Sequence, residues 1–302
     1  MQRGKVSQTA QYIAFCRALE TQEKPARRLF DDPYAFALLS GPYRMFARLA
    51  HLPILGKLVY AILDLGWPYT RSSGVVRTRA IDDLVRDAIR SGARQLVLLG
   101  AGFDSRGCRL EEAGKITVFE VDHPATQQVK KERLKTCMDR LPANIRYVAV
   151  DFERDNLEAK LAESGYDPAT PAIAVWEGVI SYLTESAVQG TFAVLARLLA
   201  PSSFLIFTYT HKGALDGSKA FPGARRWRSW SSVSSEPFIY GLNPDTLAEM
   251  LKPYRFLLQS DASTAEIARR YCPPLGRREP GNRAYRVATA TRMGEDCIIA
   301  GA

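Results

Sequence analysis

The run Gln95–Leu99, Q-L-V-L-L, passes directly into Gly100-Ala101-Gly102. A short, almost wholly apolar run suits a strand buried on both faces of a parallel sheet. The glycines after it let the backbone turn tightly and approach a ligand closely. Five further runs have the same character, at 116–121, 147–150, 172–176, 204–209 and 284–291, with a weaker seventh at 255–259. Helical spacing fills most of the gaps, at 125–134, 157–164, 185–199 and 244–251. Strands alternating with helices require βαβ units with right-handed crossovers. The expected fold is therefore α/β, a mostly parallel seven-stranded sheet with helices on both faces.

Before residue 90 the pattern is helical. Segments 7–17, 32–39 and 75–90 carry apolar residues at helical spacing. Pro33 follows Asp32 as a first-turn proline behind an N-cap. The greasiest stretch, 46–67, is broken by Arg48, His51, Pro53, Gly56, Lys57 and Asp64. A bilayer span needs about 20 predominantly apolar residues. The stretch is therefore expected to be an amphipathic helical hairpin that covers a core or lines an apolar substrate pocket. Residues 1–90 are read as an N-terminal helical cap region and 91–293 as the sheet domain. Within that domain 211–243 forms a lid inserted after the fifth strand, and 294–302 is a loose tail. No internal repeat is visible.

Composition limits the partners. The 302 residues are 46% hydrophobic and 24% charged, which excludes a disordered, collagen-like or low-complexity chain. The 41 Lys and Arg outnumber the 32 Asp and Glu, giving a net charge of +9 that favours acidic partners without identifying one. Five scattered cysteines with no C-x-x-C pair, and only three histidines, point to buried thiols in a reducing compartment. Neither a disulfide framework nor a metal site is expected. The polar first ten residues lead into no apolar run of signal-peptide type, so a soluble cytoplasmic protein with no membrane partner is expected. Oligomeric state is left open.

In open α/β sheets, ligands bind beyond the carboxyl ends of the strands at the switch point. Asp122, about 20 residues past the glycine loop, stands at the end of the second strand, where a carboxylate can accept from ribose hydroxyls. A dinucleotide fingerprint needs a third glycine where Ser105 stands, and Asp104 at the start of the next helix would repel a pyrophosphate. S-adenosylmethionine has no phosphate and carries a positive sulfonium, so an acidic lip suits it better. Asp151, at the third strand end, is placed to accept from the adenine amine, with the Phe152 amide meeting a ring nitrogen. Glu177 leaves the fourth strand straight into the crevice. Asp151 could instead cap the next helix, and Glu177 could instead be a helix cap or an ion-paired carboxylate.

Five motifs in order carry a family resemblance: R-T-R-A-I-D (77–82), L-L-G-A-G-F-D-S-R (98–106), F-E-V-D-H-P (119–124), V-D-F (150–152) and W-E-G-V-I-S-Y-L (176–183). Together they resemble the leucine carboxyl methyltransferase family of class I S-adenosylmethionine-dependent methyltransferases. That family includes enzymes that methylate a protein phosphatase C-terminus and bacterial relatives, some acting on polyketide carboxylates. The resemblance implies a Rossmann-like class I methyltransferase fold, with S-adenosylmethionine as cofactor and S-adenosylhomocysteine as product. It implies that Arg77 binds the methionine carboxylate, with Arg79 as the alternative. Gly100 and Gly102 would form the loop against the methionine portion, Asp122 would hold the ribose, and Asp151 and Phe152 the adenine. Glu177 would approach the methionine amino end. Residues before about 70 and the insertion after 211 match no motif, so the acceptor is not implied.

Methyl transfer from a sulfonium is an in-line displacement that requires alignment and exclusion of water. A carboxylate acceptor is ionised near pH 7 and needs no general base. A phenol or alcohol benefits from one, and His211 or Tyr209, at the end of the fifth strand, are the candidates. The basic insertion favours an acidic acceptor, with Arg225 and Arg228 as a bidentate clamp. The expected activity is O-methylation of a small-molecule metabolite or natural product, first as methyl ester formation, alternatively on a hydroxyl. Three other readings are a cofactor-binding scaffold without turnover, an NAD-dependent oxidoreductase opposed by Asp104 and Ser105, and a nucleic-acid methylase. The last has dispersed cations, W-E-G-V where N/D-P-P-Y/F would stand, and only Trp227 and Trp230 as stacking partners for a flipped base.

Overall fold

The computed structural model describes residues 7–151, 154–224, 226 and 236–294. Seven strands form one sheet: β1 (Gln95–Leu99), β2 (Thr117–Asp122), β3 (Ile145–Ala149), β4 (Ala172–Trp176), β5 (Phe204–Thr210), β6 (Phe256–Ser263) and β7 (Tyr285–Arg292). Their order is β3-β2-β1-β4-β5-β7-β6, with β7 antiparallel to both neighbours and β1 to β5 mutually parallel. The chain builds outward from β1 to β3, then returns to lay β4 on the other side of β1. The switch point therefore lies between the carboxyl ends of β1 and β4, where Gly100 and Glu177 follow.

The helices are α1 (Gln8–Thr21), α2 (Gly41–Ala50), α3 (Pro53–Gly66), α4 (Thr70–Arg90), α5 (Arg106–Arg109), α6 (Pro124–Leu134), α7 (Leu157–Glu163), α8 (Glu185–Leu198), α9 (Lys212–Asp216), α10 (Leu247–Leu251) and α11 (Thr264–Tyr271). Side chains alternate across β1, so each face of the sheet has its own core. Leu96 and Leu98 join Val76, Ile81 and Val85 of α4 and Ile267 of α11. Val97 and Leu99 join Leu161 of α7, Val188 and Phe192 of α8, and Leu247 of α10. A third cluster joins Phe15 and Leu19 of α1 to Leu38, Ala47, Val59 and Phe103, which fastens the N-terminal helices over the glycine loop.

Three local expectations change. Segment 32–39 is a run of turns, not a helix. The Asp32 carboxylate does accept from the Tyr34 and Ala35 amides at 3.2 and 3.1 Å, as a cap would, but it is also drawn into an ion pair with Arg17. The Leu38 amide bonds the Tyr34 carbonyl in the α-helical manner, but Ala35 to Asp32 and Leu39 to Phe36 each span three residues, so no continuous i→i+4 ladder forms. The helix expected at 75–90 begins at Thr70, and α11, between the last two strands, had no expected counterpart. The hairpin expected at 46–67 is α2 and α3, but its greasiest side faces outward. Ile54, Leu58, Ile62 and Leu65 are exposed while Gly56 and Val59 are buried. Phe152, Arg225, Trp227, Arg228 and Trp230, singled out in the sequence, lie outside the described residues, as does the tail from 295.

One ion pair is sealed inside the fold. Lys130 of α6 reaches Glu120 of β2 at 2.6 Å, and both side chains are essentially without solvent contact. Burial raises the Glu120 pKa against the opposing pull of Lys130. Removing one partner of such a pair strands the other in a dry environment. Lys130→Met should therefore lower unfolding free energy by about 3–5 kcal/mol in urea titrations. A Glu120→Gln/Lys130→Met double variant should recover much of that loss.

Candidate functional site

The loop after β1 is shaped by its glycines. Gly100 has φ +65° and Gly102 φ +48°, a region that L side chains rarely adopt. A Cβ on Gly100 would also stand 2.6 Å from Cγ2 of Val179, in the loop after β4. Only glycine lets these two strand ends meet so closely. Asp122 closes the loop from β2. Its Oδ2 accepts from the Gly102 amide at 2.5 Å and its Oδ1 from the His123 amide at 2.6 Å. Burial raises the Asp122 pKa, and the two amides oppose that rise. Asp122 is thus a clamp on the loop, and each oxygen keeps a second acceptor position.

Behind the loop lies a buried chain of charges. Arg106, the first residue of α5, donates through Nε to Asp82 of α4 at 2.9 Å and through Nη1 to Glu177 at 2.7 Å. The same nitrogen pairs with Asp104, whose Oδ1 also accepts from the Arg106 amide at 2.8 Å. Arg109, one turn on, donates to both oxygens of Asp82 at 2.6 and 2.7 Å. Ser105 donates to Asp32 at 2.5 Å, and Arg17 of α1 donates to Asp32 at 2.7 Å and to the Phe103 carbonyl at 2.5 Å. Burial by itself would raise the pKa values of Asp104, Glu177 and Asp32, but the arginines prevail. Asp104 is held down to about 2, chiefly by Arg106. Glu177 is lowered by Arg106 and Arg77, and Asp32 by Arg17 and Arg109.

Arg77 and Arg79 separate cleanly. Arg77 is buried and donates through Nε to Glu177 at 2.7 Å, with its guanidinium 5.0 Å from the Tyr285 ring centre. A Cβ on Gly178 would come within 3.6 Å of its Nη2, so the backbone at the end of β4 passes close to it. Arg79 turns the other way, to Asp83 at 3.0 Å and the Leu29 carbonyl at 2.7 Å. Thr208 of β5 accepts from the Gly178 amide at 2.8 Å and bonds the Tyr285 hydroxyl at 2.9 Å. Asp151 follows β3, its amide donating to Asp155 at 2.8 Å. The structure thus brings together Arg77, Gly100, Gly102, Asp122 and Glu177 at adjoining strand ends.

The two candidate bases are otherwise engaged. The Tyr209 ring lies in the core, and its hydroxyl donates to Asp261 of β6 at 2.7 Å. Burial raises its pKa. His211 caps α9, with Nδ1 accepting from the Gly213 amide at 3.0 Å. A neutral imidazole that accepts at Nδ1 carries its proton on Nε2. That Nε2 is buried and has no protein hydrogen-bond partner among the described residues, and Phe221 packs 5.0 Å away. Burial, Lys219 and Arg286 lower the His211 pKa.

Sequence reasoning missed the roles of Arg106, Asp82 and Arg109, although Asp82 and Arg106 end two of the quoted motifs. The available signal was two arginines spaced to share a helical face, 106 and 109, against a helix that carries a buried-side Asp82. A separate open cleft of about 470 Å³ lies between α4 and the α11 side of the sheet, lined by Asp83, Arg86, Asp87, Glu266 and Arg270. It shares none of the strand-end residues.

Comparison with known proteins gives a family and a fold. A sequence model of the family described as leucine carboxyl methyltransferase matches residues 10–196. A Streptomyces avermitilis protein named as a candidate S-adenosyl-L-methionine-dependent methyltransferase is 33% identical over 242 residues, 78% of this chain and 81% of its own. A Mycobacterium avium protein with the same designation is 33% identical over 236 residues, 76% of this chain and 73% of its own. Among solved structures, a candidate methyltransferase from Thermobifida fusca superposes with a TM-score of 0.59 at 16% identity, covering 91% of this chain and 96% of that one. At that identity the likeness is one of fold.

The charge chain has a pH signature. A carboxyl whose folded pKa is depressed stabilises fully above its unfolded value, about 4, and ceases to as pH falls through the folded value. For Asp104 that value is about 2. The stability contribution of Asp104 should therefore fade between about pH 4 and about pH 2, and those of Asp32 and Glu177, also lowered, should fade as pH falls below about 4. Arg106→Met should cost about 3–5 kcal/mol at pH 7 by urea titration. It should also flatten the acid limb, because the arginine that depresses Asp104 and Glu177 is gone. An acid limb as steep as that of the unaltered protein would contradict this account.

Proposed function

This chain belongs to the leucine carboxyl methyltransferase family and is an S-adenosylmethionine-dependent methyltransferase, and from that premise we propose that it methylates a carboxylate of a small-molecule acceptor, giving a methyl ester. The observation that carries the choice of acceptor is the hydrogen bond from the Gly213 amide to His211 Nδ1. It leaves His211 with its proton on Nε2, and protonating Nδ1 would sacrifice the cap on α9. Tyr209 is committed to Asp261. Neither candidate base is poised to take a proton, and a carboxylate nucleophile needs none.

The strand-end residues fit the cofactor. Two positive-φ glycines shape the loop, and a Cβ on either would press on Val179 or Ala10, so the turn that carries the loop to the strand ends needs glycine at both positions. The donor set has a guanidinium for a carboxylate, carboxylates for an ammonium and a ribose, and no phosphate cradle. The bound cofactor supplies a methyl group on a positively charged sulfur, open to attack from the side opposite the leaving thioether. In this reading Arg77 binds the methionine carboxylate through its terminal nitrogens, since its Nε is already fixed by Glu177. Glu177 faces the amino end. Gly100 and Gly102 let the loop close on the methionine chain, Asp122 accepts from the ribose through its remaining lone pairs, and Asp151 with the Phe152 amide receives the adenine. Arg225 and Arg228 complete the proposal as a clamp that aims the acceptor carboxylate.

Two measurements test it. Calorimetry with S-adenosylhomocysteine should show Arg77→Ala and Asp122→Ala weakened by about 1–3 kcal/mol each, while Arg79→Ala binds like the unaltered protein. Equal losses at 77 and 79 would displace the proposed carboxylate site. Turnover with isotopically labelled cofactor over a panel of carboxylic acids and phenols should yield label that mild alkali releases. His211→Asn, which keeps a capping oxygen for Gly213, should retain kcat within a few-fold, whereas a phenol methylase using His211 as base would lose about 10²–10⁴-fold.

A further inference from the structure

We propose that the α2–α3 hairpin docks this protein onto an anionic lipid surface. Successive helical residues step by about 100°, so Ile54, Leu58, Ile62 and Leu65 form one stripe along α3. All four are exposed, Ile54 at 83% and Leu65 at 66%. The opposite side of the same helix, with Gly56, Val59, Tyr60 and Leu63, faces the protein. Met45 and Phe46 of α2 and Leu52 of the connecting turn extend the exposed apolar surface. Isolated exposed leucines need no explanation, but four exposed apolar residues along one helix face mark an interaction surface.

Charge identifies the partner. Arg48, His51 and Lys57 are exposed along the hairpin and Arg44 is half-buried beside them. Burial and the Arg44 charge lower the pKa of Arg133 of α6. Among the described residues, Arg48 and Lys57 have no carboxylate within 4.0 Å, while Arg44 donates to the Ala37 and Leu39 carbonyls and Arg133 to the Leu38 carbonyl. The single acid of the hairpin, Asp64, is turned to Arg71 at 3.3 Å. An apolar face flanked by uncompensated cations matches a surface of acyl chains beneath anionic headgroups. A second copy of this chain matches it less well, since a two-fold contact would set the same cations against each other. The contact proposed is one of lying on the surface, and among the described residues no helix is long and apolar enough to cross a membrane. The inference stands apart from the identity of the methyl acceptor.

The test is flotation of the full-length protein with vesicles of mixed phosphatidylglycerol and phosphatidylcholine, against vesicles of phosphatidylcholine alone. The protein should float with the anionic vesicles and release at high salt. Leu58→Glu/Ile62→Glu should weaken binding at least about tenfold, and Arg48→Glu should weaken it and reduce its salt dependence. Both variants alter exposed side chains, so thermal midpoint and S-adenosylhomocysteine affinity should not move. The proposal is overturned if the unaltered protein stays unbound at low salt, or if the double variant floats as well as the parent. It is equally overturned if light scattering shows a dimer that the double variant splits, which would assign the face to self-association.

Discussion

The guanidinium of Arg106 meets three carboxylates drawn from three parts of the chain: Asp82 from α4, Asp104 from the glycine loop and Glu177 from the end of β4. A charge this deeply buried is tolerable only when paired and hydrogen-bonded. Each of those segments is therefore held where the guanidinium can reach it. Asp82 passes the constraint to Arg109, and Asp32 passes it on to Arg17, which grips the Phe103 carbonyl inside the loop itself. The N-terminal helices are thus fastened to the loop by charge as well as by the apolar cluster around Phe103. A break at Arg106, Asp82 or Asp32 leaves an ion without its partner where both the group and its neighbours are buried.

The sheet was largely legible in the sequence, and particular residues show why. Gln95–Leu99 and Ala172–Trp176 sit at the centre with both faces covered, so their apolar runs are unbroken and their boundaries came out to the residue. Phe256–Ser263 is an edge strand with exposed and half-exposed positions, and only its first half looked strand-like. The helix Thr264–Tyr271 owes its start to a capping box between Ser263 and Glu266. That is a signature of residue type, which apolar spacing alone passes over. The α3 stretch is apolar on nearly every side, so periodicity could not say which side the protein would cover.

The candidate site was legible in its positions and less so in its bonding. Glycines at 100 and 102, and acids following β2 and β4, are consequences of local chain geometry and can be read along the chain. That Glu177 is shared by Arg77 and Arg106 depends on side chains 100 and 71 residues away. Such long-range pairing is fixed by packing, and no spacing rule encodes it. The bond at His211 is of the opposite kind, a local one from an amide two residues on, and it is set by the turn that opens α9.

The charge balance of the site gives the proposed ligand an electrostatic rationale. Arg17, Arg77, Arg106 and Arg109 stand against Asp32, Asp82, Asp104 and Glu177, so the buried chain cancels itself. Asp122, held by amides and no cation, adds one negative charge at the lip when ionised. S-adenosylmethionine carries a sulfonium, an ammonium and a carboxylate, and thus brings one net positive charge. A pyrophosphate would bring negative charge to an already negative lip. Loss of the methyl group leaves the cofactor without its sulfonium charge, so the attraction that favours the donor is weaker for the product. The residue that sets this bias is the same aspartate that clamps the Gly102 amide, and loop geometry and ligand charge therefore meet in one side chain.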